Sequence, residues 1–191
     1  MSGKLNPLRE IVIHGRGGQG AVTAAELIAK AAFYDGKESQ AFPSFGVERR
    51  GAPVQAFCRI SESRITLKSQ VYEPDYVIIL DSTLLPLVDI KNLSERKGTL
   101  IVNTANPINS SKFPGINILS VDASSVALEI FKADIVNTAM VAAFSAFTGE
   151  ISIQSVIKAL PEIFERKDII EKNQLALKKI YSKCNECKPG K

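Results

Sequence analysis

Gly15-Arg16-Gly17-Gly18-Gln19-Gly20 follows the short apolar run Glu10-Ile-Val-Ile-His14 and precedes an alanine-rich stretch. Glycines at positions 15, 17 and 20, between a strand and a helix, have the spacing of a phosphate or dinucleotide loop. Glycine lets the backbone approach a ligand closely, and the helix start offers free N–H groups to an anion. The dinucleotide version also needs an acid at the end of the second strand, about 20 residues on, to hold the ribose hydroxyls. That strand would be Glu38-Ser-Gln-Ala-Phe42, and its acid, Glu38, stands at the wrong end. Three readings therefore stay open: an NAD site, glycines serving tight strand–helix packing, and an anion that is not a dinucleotide.

A second constellation is Pro43-Ser44-Phe45-Gly46-Val47-Glu48-Arg49-Arg50-Gly51-Ala52-Pro53. Prolines and glycines stiffen a non-repetitive backbone that presents adjacent arginines, an acid and an aromatic ring. Guanidinium groups suit phosphates and carboxylates because they donate in pairs. The plainer alternative is an ion pair between Glu48 and an arginine that only ties the loop down. In a doubly wound sheet the carboxyl end of the first strand and the loop after the second are neighbours, so both constellations would face one crevice.

Other residues carry less. His14 is a proton-shuttle candidate by its ordinary pKa, yet no acid or nucleophile stands beside it, which favours a structural histidine. Asp81 and Asn103-Thr104 close strands, where they either face a ligand or cap the following helices. Cys184-x-x-Cys187 is half a zinc site, and a solvated tail is the simpler reading. Cys58 reads as a small core residue.

The elements that must position these residues follow from pattern. The chain has 191 residues, 45% of them hydrophobic, enough for the core of one soluble unit. Apolar runs at Tyr76–Leu80, Thr99–Val102 and Gly115–Leu119 suit strands covered on both faces. With the glycine motif they predict an α/β fold, a three-layer α/β/α arrangement with a mostly parallel, Rossmann-like sheet. Residues 54–60 and 64–68, around Ser61-Glu62-Ser63, predict an inserted β-hairpin. A helix follows Gly20, with Ala21, Ala24, Ala25, Ile28, Ala31 and Ala32 on one stripe and a Glu26–Lys30 pair on the other. The uncharged stretch 139–147 must be packed all round or lie at a subunit interface. Ser152 is a helix N-cap, and residues 168–183 form a last amphipathic helix, fraying from Cys184. The whole chain, 1–191, reads as a single domain, with an α/β core over about 10–160 and a C-terminal helix and tail over 161–191.

Composition excludes several functions. One histidine and three cysteines cannot build a four-cysteine iron–sulfur cluster or a histidine-rich metal centre. Net charge is +4, of which residues 162–191, with eight Lys/Arg and five Asp/Glu, hold +3. The rest is near neutral with no basic stripe, which argues against nucleic acid. No apolar run reaches membrane-spanning length and no secretory segment opens the chain, so neither a membrane nor export is expected, and the cytoplasm is the expected compartment.

Taken together, His14-Gly-Arg-Gly-Gly-Gln-Gly20, Ala41-Phe-Pro-Ser-Phe-Gly-Val-Glu-Arg-Arg-Gly51, the strand ending Cys58-Arg-Ile60, Pro74-Asp75, Asn103-Thr104 and Asn137-Thr138 closely resemble the gamma subunits of 2-oxoacid:ferredoxin oxidoreductases, the pyruvate:ferredoxin oxidoreductase branch most of all. The resemblance spans about residues 10–160. It implies one piece of a larger oxidoreductase that converts pyruvate and coenzyme A to acetyl-CoA and carbon dioxide and passes electrons to ferredoxin. It further implies alpha and beta subunits holding thiamine diphosphate and Mg, and a delta subunit carrying iron–sulfur clusters. This chain would bind no cofactor alone and have no activity by itself. The family's gamma domain lies against the thiamine-binding subunits and helps form the coenzyme A site. Carried over residue by residue, the candidate site is Gly15, Gly17, Gly18, Gln19, Gly20, Ser44, Glu48, Arg49, Arg50 and Gly51. Gly17 to Gly20 would supply its backbone part, and Glu48 to Gly51 its side-chain part. Ala52 departs from the family, where a second glycine often follows. Two rivals stand beside this reading: a free-standing NAD(P)-dependent oxidoreductase, and an anion-binding regulatory or scaffold domain.

Overall fold

In the computed structural model, which describes residues 8–44, 50–88 and 91–186, the first apolar run forms strand β1 (Arg9–Arg16) and the alanine stretch forms helix α1 (Ala21–Tyr34). Strands β2 (Glu38–Pro43), β3 (Pro53–Ser61), β4 (Tyr76–Ile79), β5 (Thr99–Asn103) and β6 (Asn117–Val121) complete one sheet in the order β2-β3-β1-β4-β5-β6. β1, β4, β5 and β6 are parallel neighbours. β3 lies antiparallel between β1 and β2, so five of the six strands share one direction.

Side chains alternate across the sheet as a pleated strand requires. Ile11, Ile13, Cys58, Ile60, Ile78, Leu80 and Ile101 enter a large core shared with α1, α3 (Ala123–Phe131), α4 (Asn137–Thr148), α5 (Ile153–Ile163) and α6 (Lys167–Glu186). Val12, Phe57, Val77, Ile79, Leu100 and Val102 enter a smaller core on the other face. Among the described residues, coil, the 3-10 turn Ser82–Leu87 and the five-residue helix α2 (Lys91–Glu95) cover that side, so the third layer is thin. The small residues of α1 let it lie close to the sheet, with Ala24, Ala25, Ala31 and Ala32 at most 1% exposed. Helix α4 is packed all round, buried from Asn137 through Ala146. Ser152 caps α5, its hydroxyl accepting from the Ser155 amide at 3.1 Å.

Three local expectations change. The inserted hairpin is built from β2 and β3, while residues 64–68 form no strand. Both edges of β3 are already paired, with β1 and β2, so a further arm has no ladder to join. Lys30 reaches across to Glu162 of α5 at 2.6 Å, beyond the expected pairing with Glu26. Cys184 is buried, because it continues the α6 stripe of Asn173, Ala176, Leu177 and Ile180, and the helix runs on to Glu186. Cys187 lies outside the described residues. No helix among them is long and apolar enough to cross a membrane.

Candidate functional site

β1 outlasts its apolar run because Gly15 and Arg16 still pair with Val54 and Pro53 of β3. The chain then turns sharply. Gln19 closes the turn twice, its amide donating to the Arg16 carbonyl at 2.9 Å and its Oε1 accepting from the Arg16 amide at 2.8 Å. Gly18 and Gly20 adopt φ of +95° and +78°, in the left-handed region that favours glycine. Gly15 is a packing position, since a Cβ there would meet Leu80 at 3.2 Å and Ala21 at 3.4 Å.

Gly20 serves a second purpose. A Cβ at this position would stand 2.5 Å from Nδ2 of Asn137, the first residue of α4. The starts of α1 and α4 therefore meet across this glycine. Neither has a side-chain cap or an acid in its first turn. Two helix starts with their positive ends together favour an anion. Asn137 is 6% exposed with no partner for its Oδ1, and the neighbouring Thr138 hydroxyl, 1% exposed, is likewise unpartnered.

The arginine-bearing segment joins the same place. The Gly17 amide donates to the Ala52 carbonyl at 2.8 Å, and the Gly51 amide donates to the Gly17 carbonyl at 3.1 Å. Gly17 also forms a bridge with Arg50. Gly51 has φ +79° with open space where a Cβ would be, so backbone conformation is what requires glycine there. Ala52 takes part through its carbonyl, which a Cβ does not hinder. Arg50 is exposed, and among the described residues no carboxylate pairs with it. Ser44 anchors the other end of the segment, its amide donating to the Gln55 carbonyl at 2.9 Å. Glu48 and Arg49 lie outside the described residues, and with them the proposed Glu48–arginine pair. The glycine turn and the described ends of the arginine segment thus share one edge of the sheet.

The remaining candidates are structural. Burial lowers the His14 pKa to about 4, leaving a neutral ring whose Nδ1 is 3.5 Å from the Gln55 amide nitrogen. Asn103 caps α3, its Oδ1 accepting from the Ala123 and Ser124 amides while its Nδ2 donates to the Leu80 carbonyl. Burial pushes the Cys58 thiol up, which makes it an inert core group. Among the described residues no three His, Cys, Asp or Glu side chains gather as for a metal.

Asp81 does more than cap. Its Oδ1 accepts from the Thr83 amide at 2.9 Å, and its Oδ2 accepts from Arg16 Nε at 2.9 Å. Partial burial raises the carboxyl, but the Thr83 hydrogen bonds and the Arg16 guanidinium outweigh it and hold the group below the usual carboxylate range. Arg16 and Asn137 were outside the sequence-derived site. A charged residue set between two glycines was the available signal for Arg16. For Asn137 the signal was the Asn137-Thr138 pair at a helix start, which could not show that it meets Gly20 over a hundred residues away.

Residues 10–183 match the family described as pyruvate ferredoxin/flavodoxin oxidoreductase. The chain belongs to this family. It is 51% identical to pyruvate synthase subunit PorC of Methanocaldococcus jannaschii over 91% of this chain and 95% of that protein. It is 46% identical to the pyruvate/ketoisovalerate oxidoreductases common subunit gamma of Pyrococcus furiosus, covering 91% and 96% of the two. The crystal structure of pyruvate oxidoreductase subunit PORC from Thermotoga maritima superposes with TM-score 0.78 at 38% identity, over 92% of this chain and 96% of that one. The family match reaches past residue 160 and includes most of α6, in keeping with the packing of that helix into the main core.

Proposed function

We propose that this chain is the gamma subunit of a 2-oxoacid:ferredoxin oxidoreductase complex of the pyruvate synthase type, and that it contributes an anion-binding surface for coenzyme A. The supporting observation is the stitching of Gly17 to Gly51 and Ala52, which places exposed Arg50 beside the glycine turn and two uncapped helix starts. The phosphates of coenzyme A suit this combination: backbone N–H groups and a guanidinium supply charge-matched donors, and the helix ends add a favourable field. The chain's part in the reaction is to bind and orient. Decarboxylation and electron transfer to ferredoxin belong to thiamine diphosphate, Mg and iron–sulfur clusters in alpha, beta and delta partner subunits, and the complex works in the cytoplasm.

A common gamma subunit serves both pyruvate and ketoisovalerate enzymes in Pyrococcus furiosus, by its name. That supports a role for this chain in a step both substrates share, with the choice of 2-oxoacid made in other chains. The dinucleotide reading has less support. β3 separates β2 from β1, and Glu38 stands at the amino end of β2 opposite Ser61, far along the sheet from the glycine turn.

The experiment is to replace Arg49 and Arg50 together by alanine in the reconstituted complex. The KM for coenzyme A should rise about tenfold or more, the loss of about 1.4 kcal/mol or more of binding, with the KM for pyruvate unchanged. An assembled complex with an unaltered coenzyme A KM overturns the assignment and leaves the scaffold role.

A further inference from the structure

Arg16 is the most connected side chain of the site. Its guanidinium donates from all three nitrogens to three separate residues: Nε to Asp81 Oδ2 at 2.9 Å, Nη1 to the Gly51 carbonyl at 3.1 Å, and Nη2 to the Thr83 hydroxyl at 2.7 Å. Asp81 and Thr83 are themselves locked together, because the Thr83 amide and hydroxyl both donate to Asp81 Oδ1, at 2.9 and 2.6 Å. The fork therefore ties the end of β1 to the end of β4 and to the residue that follows Arg50. Only a planar guanidinium spans three acceptors in this way; a lysine ammonium cannot.

Magnitude helps decide what the arrangement is for. The Arg16 side chain is 34% exposed and Asp81 21%, so the ion pair adds little to global stability. Its effect is local. Gly51, with no side chain and φ +79°, is a point where the backbone has no Cβ to restrict it, and its carbonyl is what the fork grips.

We infer that Arg16, oriented by Asp81 and Thr83, is a positioning residue that holds the exit of the arginine-bearing segment in register with the glycine turn. The ligand consequence of this inference rests on the proposed coenzyme A site; the clamp itself does not. Asp81→Asn separates positioning from direct ligand contact. It keeps an acceptor for Thr83, leaves the Arg16 cation in place and removes a negative charge. If Arg16 touched the anion directly, this variant would bind coenzyme A as well as before or better. If Arg16 works through Gly51, the variant binds worse.

The test uses the reconstituted complex with Asp81→Asn and, separately, Arg16→Gln. Amide hydrogen exchange at Gly17 and Gly51 should quicken by about tenfold in both variants, since local opening sets the rate. The KM for coenzyme A should rise by about five- to tenfold, with kcat and the pyruvate KM within about twofold of the parent. Unchanged exchange in both variants overturns the clamp, as does a lowered coenzyme A KM in Asp81→Asn. Faster exchange with an unchanged coenzyme A KM upholds the clamp and removes the coenzyme A reading instead.

Discussion

The two ends of the sheet handle charge in opposite ways. At the amino end, charged groups meet one another. Arg59, 1% exposed, donates to Glu10 at 2.8 Å and to the Gln70 carbonyl, with its guanidinium over the Phe42 ring. Arg96 lies within 4 Å of Glu10 and Asp75, Arg9 is 3.0 Å from Glu150, and Tyr76 donates to Glu150. Each of these side chains has a partner inside the chain, though Arg59 Nη1 itself is buried without one. At the carboxyl end the single ion pair is Arg16–Asp81 among the described residues, while Arg50 is exposed and two helix starts have no side-chain cap. The first end turns its carboxylates and guanidinium groups toward one another, and the second leaves an exposed cation and two uncapped helix starts. A difference of that kind separates charge that serves folding from charge available to a ligand or a neighbouring subunit.

If this contrast is right, the largest stability effect lies at the amino end and leaves ligand binding alone. Glu10→Ala strips the carboxylate from a buried guanidinium and should destabilise the chain by about 3–5 kcal/mol. Denaturant unfolding measures it, and the coenzyme A KM of the complex that still assembles should not move. Replacing the pair together, Glu10→Leu with Arg59→Met, should recover most of the loss, since the cost comes from an unpaired buried charge. A coenzyme A defect in Glu10→Ala with normal stability would break the contrast.

At the other end, two glycines separate packing from conformation. Gly20→Ala meets both a left-handed φ and a Cβ 2.5 Å from Asn137, and should cost about 2–3 kcal/mol. Gly51→Ala meets only the φ, and should cost about 1 kcal/mol. Thermal unfolding of the two variants should rank them in that order. Equal losses would mean that the meeting of α1 and α4 is looser than the structure has it.

The same contrast explains what was legible in the sequence. Strand, glycine turn and helix were readable because each is a local pattern: an apolar run, glycines at positions needing positive φ, an alanine stripe. β4 and β5 were readable because both their faces are covered and their sequences are apolar throughout. The position of β3 between β1 and β2 was not, since nothing in residues 53–61 names the strand beside it. Residues 64–68 alternate Ile65 and Leu67 like a strand, yet local pattern cannot reveal that both edges of β3 are taken. The candidate site was legible in its glycines and arginines, whose chemistry is carried by residue type. Its clamp was hidden, because Arg16 and Asp81 stand 65 positions apart and meet only through the parallel neighbourhood of β1 and β4.

At neutral pH His14 gives the smallest effect, and below it the cleanest pH window. Its folded pKa is lowered to about 4 by burial, against the ordinary value of 6.5. The unfolded chain therefore binds a proton that the folded chain does not as pH falls below about 6.5, and stability declines by up to about 1.4 kcal/mol per unit until about pH 4. The carboxylates with lowered values, Asp35, Asp81, Asp122, Glu129, Glu162 and Asp168, act in a lower window. Their stabilisation is full above the unfolded carboxylate values of about 3.9 for Asp and about 4.3 for Glu and is lost as pH falls through their depressed folded values. Between about pH 4.5 and 6.5 the slope thus belongs mainly to His14. His14→Gln should flatten the stability profile there while leaving the turnover of pyruvate by the complex intact, since a ring with its pKa lowered to about 4 is a weak base and carries no imidazolium proton to give at pH 7. An unchanged slope in that variant would mean that the ring titrates in the folded chain as it does in the unfolded one. The carboxyl end would then hold one more group available for chemistry than the contrast allows.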